Sequence, residues 1–282
     1  MITNMFIKNK KYLISSKIRC NKHRKRILAI SQKVNALHAA GAFSALEMVD
    51  TIYYKLMKKN SKKKFIDTFL MSKGHGCMSQ YTVLESLGIF PKKYLDTYCT
   101  KNGKLGCHPD YGVPGIEAST GSLGHGMGLA VGMAHADFIN KKNTKLFLMI
   151  SDGELQEGST WENMMMAANL KLKNLICFID HNGSQAFGVA KETHPELYPL
   201  KEKIIAFGWE CFEIDGHNPI EISNAISNRK TKKPLMIIGN TIKGKGISFM
   251  ENRPLWHYRS PNPEEYKIAL KELEKLDNKN EK

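Results

Sequence analysis

The sequence predicts an α/β protein, a mostly parallel sheet with helices on both faces, and three observations predict it. Two short, unbroken apolar runs, Leu146 to Ile150 and Leu175 to Ile179, have the character of strands covered on both sides. Between them, Glu157 to Leu170 has helical spacing, with Trp161, Met164, Met165 and Ala168 on one face. Each run stops at turn chemistry, Ser151-Asp152-Gly153 and Asp180-His181-Asn182-Gly183. Strand, helix and strand make one βαβ unit, which releases both strand ends on the edge of the sheet where ligands of open α/β folds bind.

The other elements follow from the same patterns. Residues 1–17 read as a basic lead-in and 18–282 as a single domain. Lys17 to Leu37 is helical in pattern, with Ile18, Ile27, Ile30, Val34 and Leu37 apolar. His38-Ala39-Ala40-Gly41-Ala42-Phe43-Ser44 is a small-residue break before a second helix, Ser44 to Leu56. Phe65 to Met71 predicts a strand, stopped by Ser72-Lys73-Gly74-His75-Gly76, and Cys77 to Leu87 a helix. Lys101 to His125 is crowded with Gly and Pro and shows no element of its own, which in a compact domain marks a functional loop. A helix N-terminus follows at Ser122, and Leu129 to Phe138 is rich in small residues suited to close helix packing. Further on, a helix is expected at Leu200 to Phe207 and strands at Glu210 to Ile214 and Leu235 to Gly239. Asp215-Gly216-His217-Asn218-Pro219 reads as a turn and cap for a helix from Ile220 to Asn228. The segment 263–276 is a charged amphipathic helix packed on the surface.

Composition narrows the function. At 282 residues, with 42% hydrophobic and 24% charged residues, the chain is long enough for a full core. No apolar run approaches the ~20 residues of a membrane span, and the N-terminus lacks an export signal. The net charge of +15 raises a nucleic-acid partner. Yet the charge is mostly lysine, scattered, without interleaved aromatics, and reads as a solvated surface. The six cysteines form no C-x-x-C pair and no zinc spacing, so free thiols in a reducing cytoplasm are expected.

Asp152 and Asn182 each stand just past a strand end, one crossover apart. Hard oxygen donors of this kind suit Mg²⁺ or Ca²⁺ shared with a phosphorylated ligand. Gly153 lets backbone approach that ligand, and the following helix start offers free N–H groups. The same dipeptides are also ordinary turn chemistry, and both readings stand at this point. His38, likewise, reads either as a buried structural histidine or as a catalyst, and His75 either as an anion contact at a strand–helix junction or as an exposed loop residue.

Ser151-Asp152-Gly153-Glu154-Leu155-Gln156-Glu157-Gly158, followed by Ile179-Asp180-His181-Asn182-Gly183, resembles the thiamine diphosphate motif of the transketolase family, with Ser151 in place of the family's first Gly. The resemblance implies that Asp152, Asn182 and the main-chain oxygen of Ser184 hold the metal that anchors the cofactor's diphosphate. Ser72-Lys73-Gly74-His75 matches a further family motif, whose His contacts the diphosphate. Gly106 to Leu123 is similar to the family loop in which a His, here His108, reaches substrate. There the backbone at Gly121 and Leu123 bonds the aminopyrimidine. Trp256-His257 resembles the segment that brings a His to diphosphate and substrate, although Tyr258 stands where Gly is usual. His38 matches the His that lines the substrate channel, with Ala39 and Ala40 departing from the pattern. Glu157 falls at the position that links paired cofactor sites across the dimer interface.

The resemblance covers about residues 18–276 and corresponds only to the N-terminal, diphosphate-binding part of a full transketolase. It therefore implies the N-terminal subunit of a split enzyme, transferring a two-carbon ketol unit between sugars or sugar phosphates. Such a subunit needs a C-terminal partner subunit with a pyrimidine-binding domain, in a homodimeric or α2β2 assembly. His38, His108 and His257 would move protons and orient hydroxyls. Other readings are a subunit of a different thiamine diphosphate enzyme, such as a 2-oxo-acid dehydrogenase or decarboxylase, and a non-catalytic relative that binds cofactor or partner.

Overall fold

The computed structural model describes residues 2–34, 37–185 and 188–280. The chain begins with α1 (Ile2–Ser31) and α2 (Ala39–Thr51), the latter running on into a wider π-helical turn, Ile52–Leu56. β1 (Thr68–Met71) leads through a 3₁₀ turn, Gly74–Gly76, into α3 (Cys77–Ser86) and the short α4 (Lys93–Asp96). A long loop ends at α5 (His125–Ile139). The central unit is β2 (Leu146–Ser151), α6 (Gly158–Asn169) and β3 (Leu175–His181). A small antiparallel pair, β4 (Ser184–Gln185) and β5 (Gly188–Val189), precedes α7 (Ala190–Thr193) and α8 (Leu200–Ala206). The chain then forms β6 (Glu210–Asp215), α9 (Pro219–Ser227), β7 (Leu235–Asn240) and α10 (Pro263–Asn280).

Five strands make one parallel sheet in the order β1-β2-β3-β7-β6. Alternate side chains along each strand serve two separate cores. Phe69, Phe147, Met149, Ile176, Phe178 and Ile237 pack beneath α1, α2, α3, α9 and α10, whereas Leu70, Leu148, Ile150, Cys177, Ile179 and Met236 meet α5, α6 and α8. Helices on both faces explain the near-continuous apolar strands. No described helix is long and apolar enough to cross a membrane.

The structure differs from the sequence expectations where packing overrides local pattern. Residues 2–17 are not a lead-in but the first half of α1, one continuous 30-residue helix. Its inner half is held by α10, for Asn21 donates to the Leu273 carbonyl at 2.7 Å and Lys25 pairs with Asp277 at 2.5 Å. The expected continuation to Leu37 is not made: the helix ends at Ser31, and residues 35–36 lie outside the described residues.

Ala39 to Phe43, expected as a break, form the buried first turns of α2, because small side chains let this helix sit close to its neighbours. β1 is shorter than expected, starting at Thr68, and α5 starts at His125 rather than Ser122, behind Gly124 in a left-handed conformation (φ 82°). The inward face of α6 is Thr160, Met164 and Ala167, while Met165 is 49% exposed. The remaining elements fall within a few residues of expectation. Asn218 caps α9, accepting from the Ile220 and Glu221 amides. His217 is structural, bonded to Glu47 at 2.8 Å on one nitrogen and to the Ile242 amide at 2.8 Å on the other.

Candidate functional site

Because β2 and β3 are direct neighbours, in register as far as Ser151 opposite Asp180, their C-terminal turns meet. Asp152 is buried and its carboxylate accepts from the Gly153 amide at 2.9 Å and the Gly183 amide at 2.7 Å. Asn182 stands beside it, its amide oxygen accepting from the Ser184 amide at 3.0 Å and its NH₂ donating to Asp180 at 3.2 Å. Burial, and next the nearby Asp180, push the Asp152 carboxyl up to about 6. Burial also opposes the charge of Asp180, but Lys73 in direct contact holds its carboxyl below the ordinary value. Two carboxylates in so dry a corner favour a cation, and each carboxylate oxygen of Asp152 keeps further acceptor capacity. Asp152, Asn182 and main-chain oxygen thus fit a hard divalent ion. Among the described residues no cluster of three or more His, Cys, Asp and Glu could hold one, and this set, with a single carboxylate, is of another kind.

A cavity of about 500 Å³ opens over this corner. All the residues singled out from the sequence line it: His38, His75, His108, Gly121, Leu123, Asp152, Gly153, Glu157, Asn182, Ser184 and His257. They arrive from the ends of β1, β2 and β3, from the start of α2, and from the loops before α5 and after β7. His38, His75 and His257 form a cluster with ring centroids 5.5 to 6.1 Å apart. Burial foremost, and then neighbouring charges, lower all three: His38 to about 4, His257 to about 3, and His75 well below the ordinary value. These imidazoles are therefore neutral at pH 7. Lys243, itself pushed down to about 8 by burial and then by Lys73, contacts His257 Nδ1. A donating ammonium there makes Nδ1 an acceptor and leaves the proton on Nε2.

The loop before α5 is shaped by Gly121, whose φ of 146° and contact with the His108 ring leave no room for a side chain. An added Cβ would lie 2.8 Å from His108 Cδ2. Glu154 ties this loop to the end of β2, touching the Ser72 hydroxyl and accepting from the Gly124 amide at 3.0 Å. Glu157, exposed at the start of α6, sits on the cavity's edge.

Sequence reading did not single out Lys73, Lys243 and Asp180, nor assign Tyr258 a place in the site. Lys73 and Lys243 line the cavity although almost wholly buried, and the Tyr258 ring lies 4.8 Å from His38 and 4.4 Å from His257. A lysine just past an apolar strand, as at Ser72-Lys73 and Ile242-Lys243, was the available signal. A larger cavity, about 830 Å³, lies by the N-terminal ends of β3, β6 and β7. It is lined by Phe138, Phe207 and four lysines, without carboxylate, imidazole or thiol, so acid–base chemistry belongs to the smaller one.

Fold and site together define an α/β domain that gathers a cation-compatible pocket, lined also by lysines and histidines, at the carboxyl edge of a parallel sheet. The chain belongs to the transketolase family: residues 17–269 match the family described as "Transketolase, thiamine diphosphate binding domain". It is 36% identical over 272 residues to one subunit of the apulose-4-phosphate transketolase of Phocaeicola vulgatus, covering 93% of this chain and 96% of that one. It is 40% identical over 258 residues to the "6-deoxy-6-sulfo-D-fructose transketolase subunit SqwG" of a Clostridium species, covering 89% and 94%. The transketolase of Pichia stipitis shares the fold with a TM-score of 0.82 at 22% identity, over 94% of this chain but 44% of that one. That of Campylobacter jejuni gives 0.78 at 23% identity, over 94% and 48%. The chain thus spans about half the length of these solved transketolases.

Proposed function

We propose that this chain is the N-terminal subunit of a split, thiamine diphosphate-dependent transketolase that moves a two-carbon ketol unit between sugars or sugar phosphates. The observation that carries the reading is the convergence of Asp152, Asn182, His75, His257 and His38 on one cavity. Near full-length similarity to two proteins named as transketolase subunits supports it. Asp152, Asn182 and the Ser184 carbonyl would hold Mg²⁺ or Ca²⁺, with the diphosphate beside Gly153, His75 and His257. Lys73 and Lys243 supply positive charge to the same end of the cavity. The backbone at Gly121 and Leu123 would meet the aminopyrimidine. When bound, thiamine diphosphate supplies the electron sink for breaking and making the ketose C2–C3 bond.

The chain's own part is to bind, orient and move protons. Neutral His38 and His257 can exchange protons with sugar hydroxyls without first losing one to solvent, and His108 would orient hydroxyls beside them. Lys243 fixes the His257 tautomer that presents an N–H. Glu157, by the family resemblance, would couple paired sites across an interface between protomers. A C-terminal partner subunit with a pyrimidine-binding domain, in a homodimeric core or an α2β2 assembly, completes the enzyme. The domain runs from about residue 18 to the end of α10, with the first half of α1 as an extension. The six cysteines are all free, which supports work in a reducing cytoplasm.

The test is co-expression with a candidate partner subunit, followed by a ketol-transfer assay. A panel of ketoses against pyruvate separates this reading from 2-oxo-acid chemistry. Turnover of ketose only with both subunits, cofactor and Mg²⁺ is expected; turnover of pyruvate alone would overturn it.

A further inference from the structure

Asp180 is fully buried one residue short of the strand end and never faces the cavity, yet four side chains converge on it. Its Oδ1 accepts from the Thr241 hydroxyl at 2.5 Å; its Oδ2 accepts from the Ser44 hydroxyl at 2.5 Å, from the Lys73 ammonium, and from the Asn182 NH₂ at 3.2 Å. Lys73 also donates to the Gly41 carbonyl at 3.0 Å, which anchors the cluster to the first turn of α2. These partners come from α2, β1, β3 and the end of β7, so Asp180 is the node where the elements that build the site are joined.

One of its bonds has a chemical consequence beyond stability. An amide side chain can be turned either way, and the two ends have opposite character toward a cation: the oxygen attracts it and the NH₂ repels it. A carboxylate at Asp180 can only accept, so it admits the NH₂ of Asn182 and rejects the oxygen. The oxygen is thereby left on the other side, where the Ser184 amide donates to it and one lone pair remains. An apolar residue at 180 would leave that choice to the Ser184 amide alone.

We propose that Asp180 is a positioning residue for the cation site, setting the amide of Asn182 with its oxygen outward, and that Lys73 holds Asp180 in place. The inference rests on the proposed cation reading of Asp152 and Asn182. Outer residues that orient a metal ligand typically contribute about 10–100-fold to metal affinity.

Removing one member of a buried ion pair risks unfolding, so the variants remove both charges together. Lys73→Met with Asp180→Asn keeps an acceptor opposite Asn182; Lys73→Met with Asp180→Leu does not. Mg²⁺ is titrated with thiamine diphosphate into each variant assembled with its co-expressed partner subunit, followed by fluorescence quenching and calorimetry, with cooperative unfolding of each chain checked by circular dichroism. The asparagine pair is expected to bind Mg²⁺ about 10–100-fold more tightly than the leucine pair, at comparable thermal stability. Should the leucine pair not fold cooperatively, Lys73→Met with Asp180→Ala takes its place in the same comparison. Equal Mg²⁺ affinities, or affinities that only follow the loss of stability, overturn the role of Asp180 while leaving the cation site standing. Absence of Mg²⁺-dependent cofactor binding by the unmodified two-subunit assembly overturns the cation site, and this inference with it.

Discussion

The Gly183 amide donates to Asp152 Oδ2 at 2.7 Å, tying the turn that ends β3 to the carboxylate that ends β2. The bond spans the two strand ends on which the site depends. It shows that Asp152 and Asn182 share one edge of the sheet and belong to one hydrogen-bonded corner rather than to two independent turns.

If that corner holds the metal, Asp152→Ala removes the only carboxylate donor. Metal-dependent binding of thiamine diphosphate should fall by more than the roughly 10–100-fold typical of an outer-shell change, while the fold survives. Quenching of intrinsic fluorescence, with Trp256 adjoining His257 as a reporter, measures it. Retained tight binding would exclude Asp152 as the ligand.

Acid should destabilise the chain from a histidine outside the site. Burial, and then Arg19 and Arg24, lower His23 from 6.5 to about 3, and its Nε2 has no hydrogen-bond partner. Below pH 6.5 the unfolded chain takes up a proton that the folded chain refuses, so stability declines as pH falls from 6.5 toward 3. This one group contributes a slope of about 1.4 kcal/mol per pH unit. His38 and His257, lowered to about 4 and 3, act in the same direction. His23→Leu should lessen the slope between pH 6 and 4 by about that amount, read from urea midpoints. An unchanged slope would show that His23 is protonated in the fold.

Glu47 is held between Arg24 at 2.8 Å and His217 at 2.8 Å, all three largely buried. Burial alone would raise its carboxyl, but the two partners more than offset this and hold it at about 2. Glu47→Gln leaves Arg24 buried without its counter-charge and should cost about 3–5 kcal/mol. Chemical denaturation checks this, and a loss under about 1 kcal/mol would mean that Arg24 finds another partner.

Tyr258 packs edge-on against His38 and His257 at the mouth of the cavity, 62% exposed. Tyr258→Gly opens that end without touching the metal corner. In the two-subunit enzyme it should alter the ratio of kcat/KM for long over short sugars about tenfold, the scale of one well-packed contact, and leave cofactor affinity unchanged. A uniform change across all sugars would mean that Tyr258 only supports the histidines.

Much of this was legible in the chain itself, for a local reason. The apolar runs of β2 and β3, the helix between them and the turns after them are properties of short stretches, and a crossover unit has only one sensible way to bring Asp152 and Asn182 together. The histidine positions were legible because each lies in a compact motif at an element's end. Other features lay beyond local pattern. Residues 2–17 lack a clean apolar stripe, and the bonds from α10 to Asn21 and Lys25 fall in the half of α1 that follows them. The face of α6 keeps Met164 as expected but adds Thr160 and Ala167 and leaves Met165 exposed, because the sheet beneath it, not the spacing alone, selects which side is buried.

The sequence by itself determined the sheet, its crossover and the residue types at the strand ends, since backbone propensity and apolar periodicity act over a few neighbouring positions. Tertiary structure alone decided that Lys73 pairs with Asp180 and that Lys243 meets His257. Lys73 and Asp180 are 107 positions apart, and Lys243 and His257, 14 apart, lie on separate turns. Whether a buried charge finds a counter-charge depends on how separate elements stack in space, which no local pattern encodes.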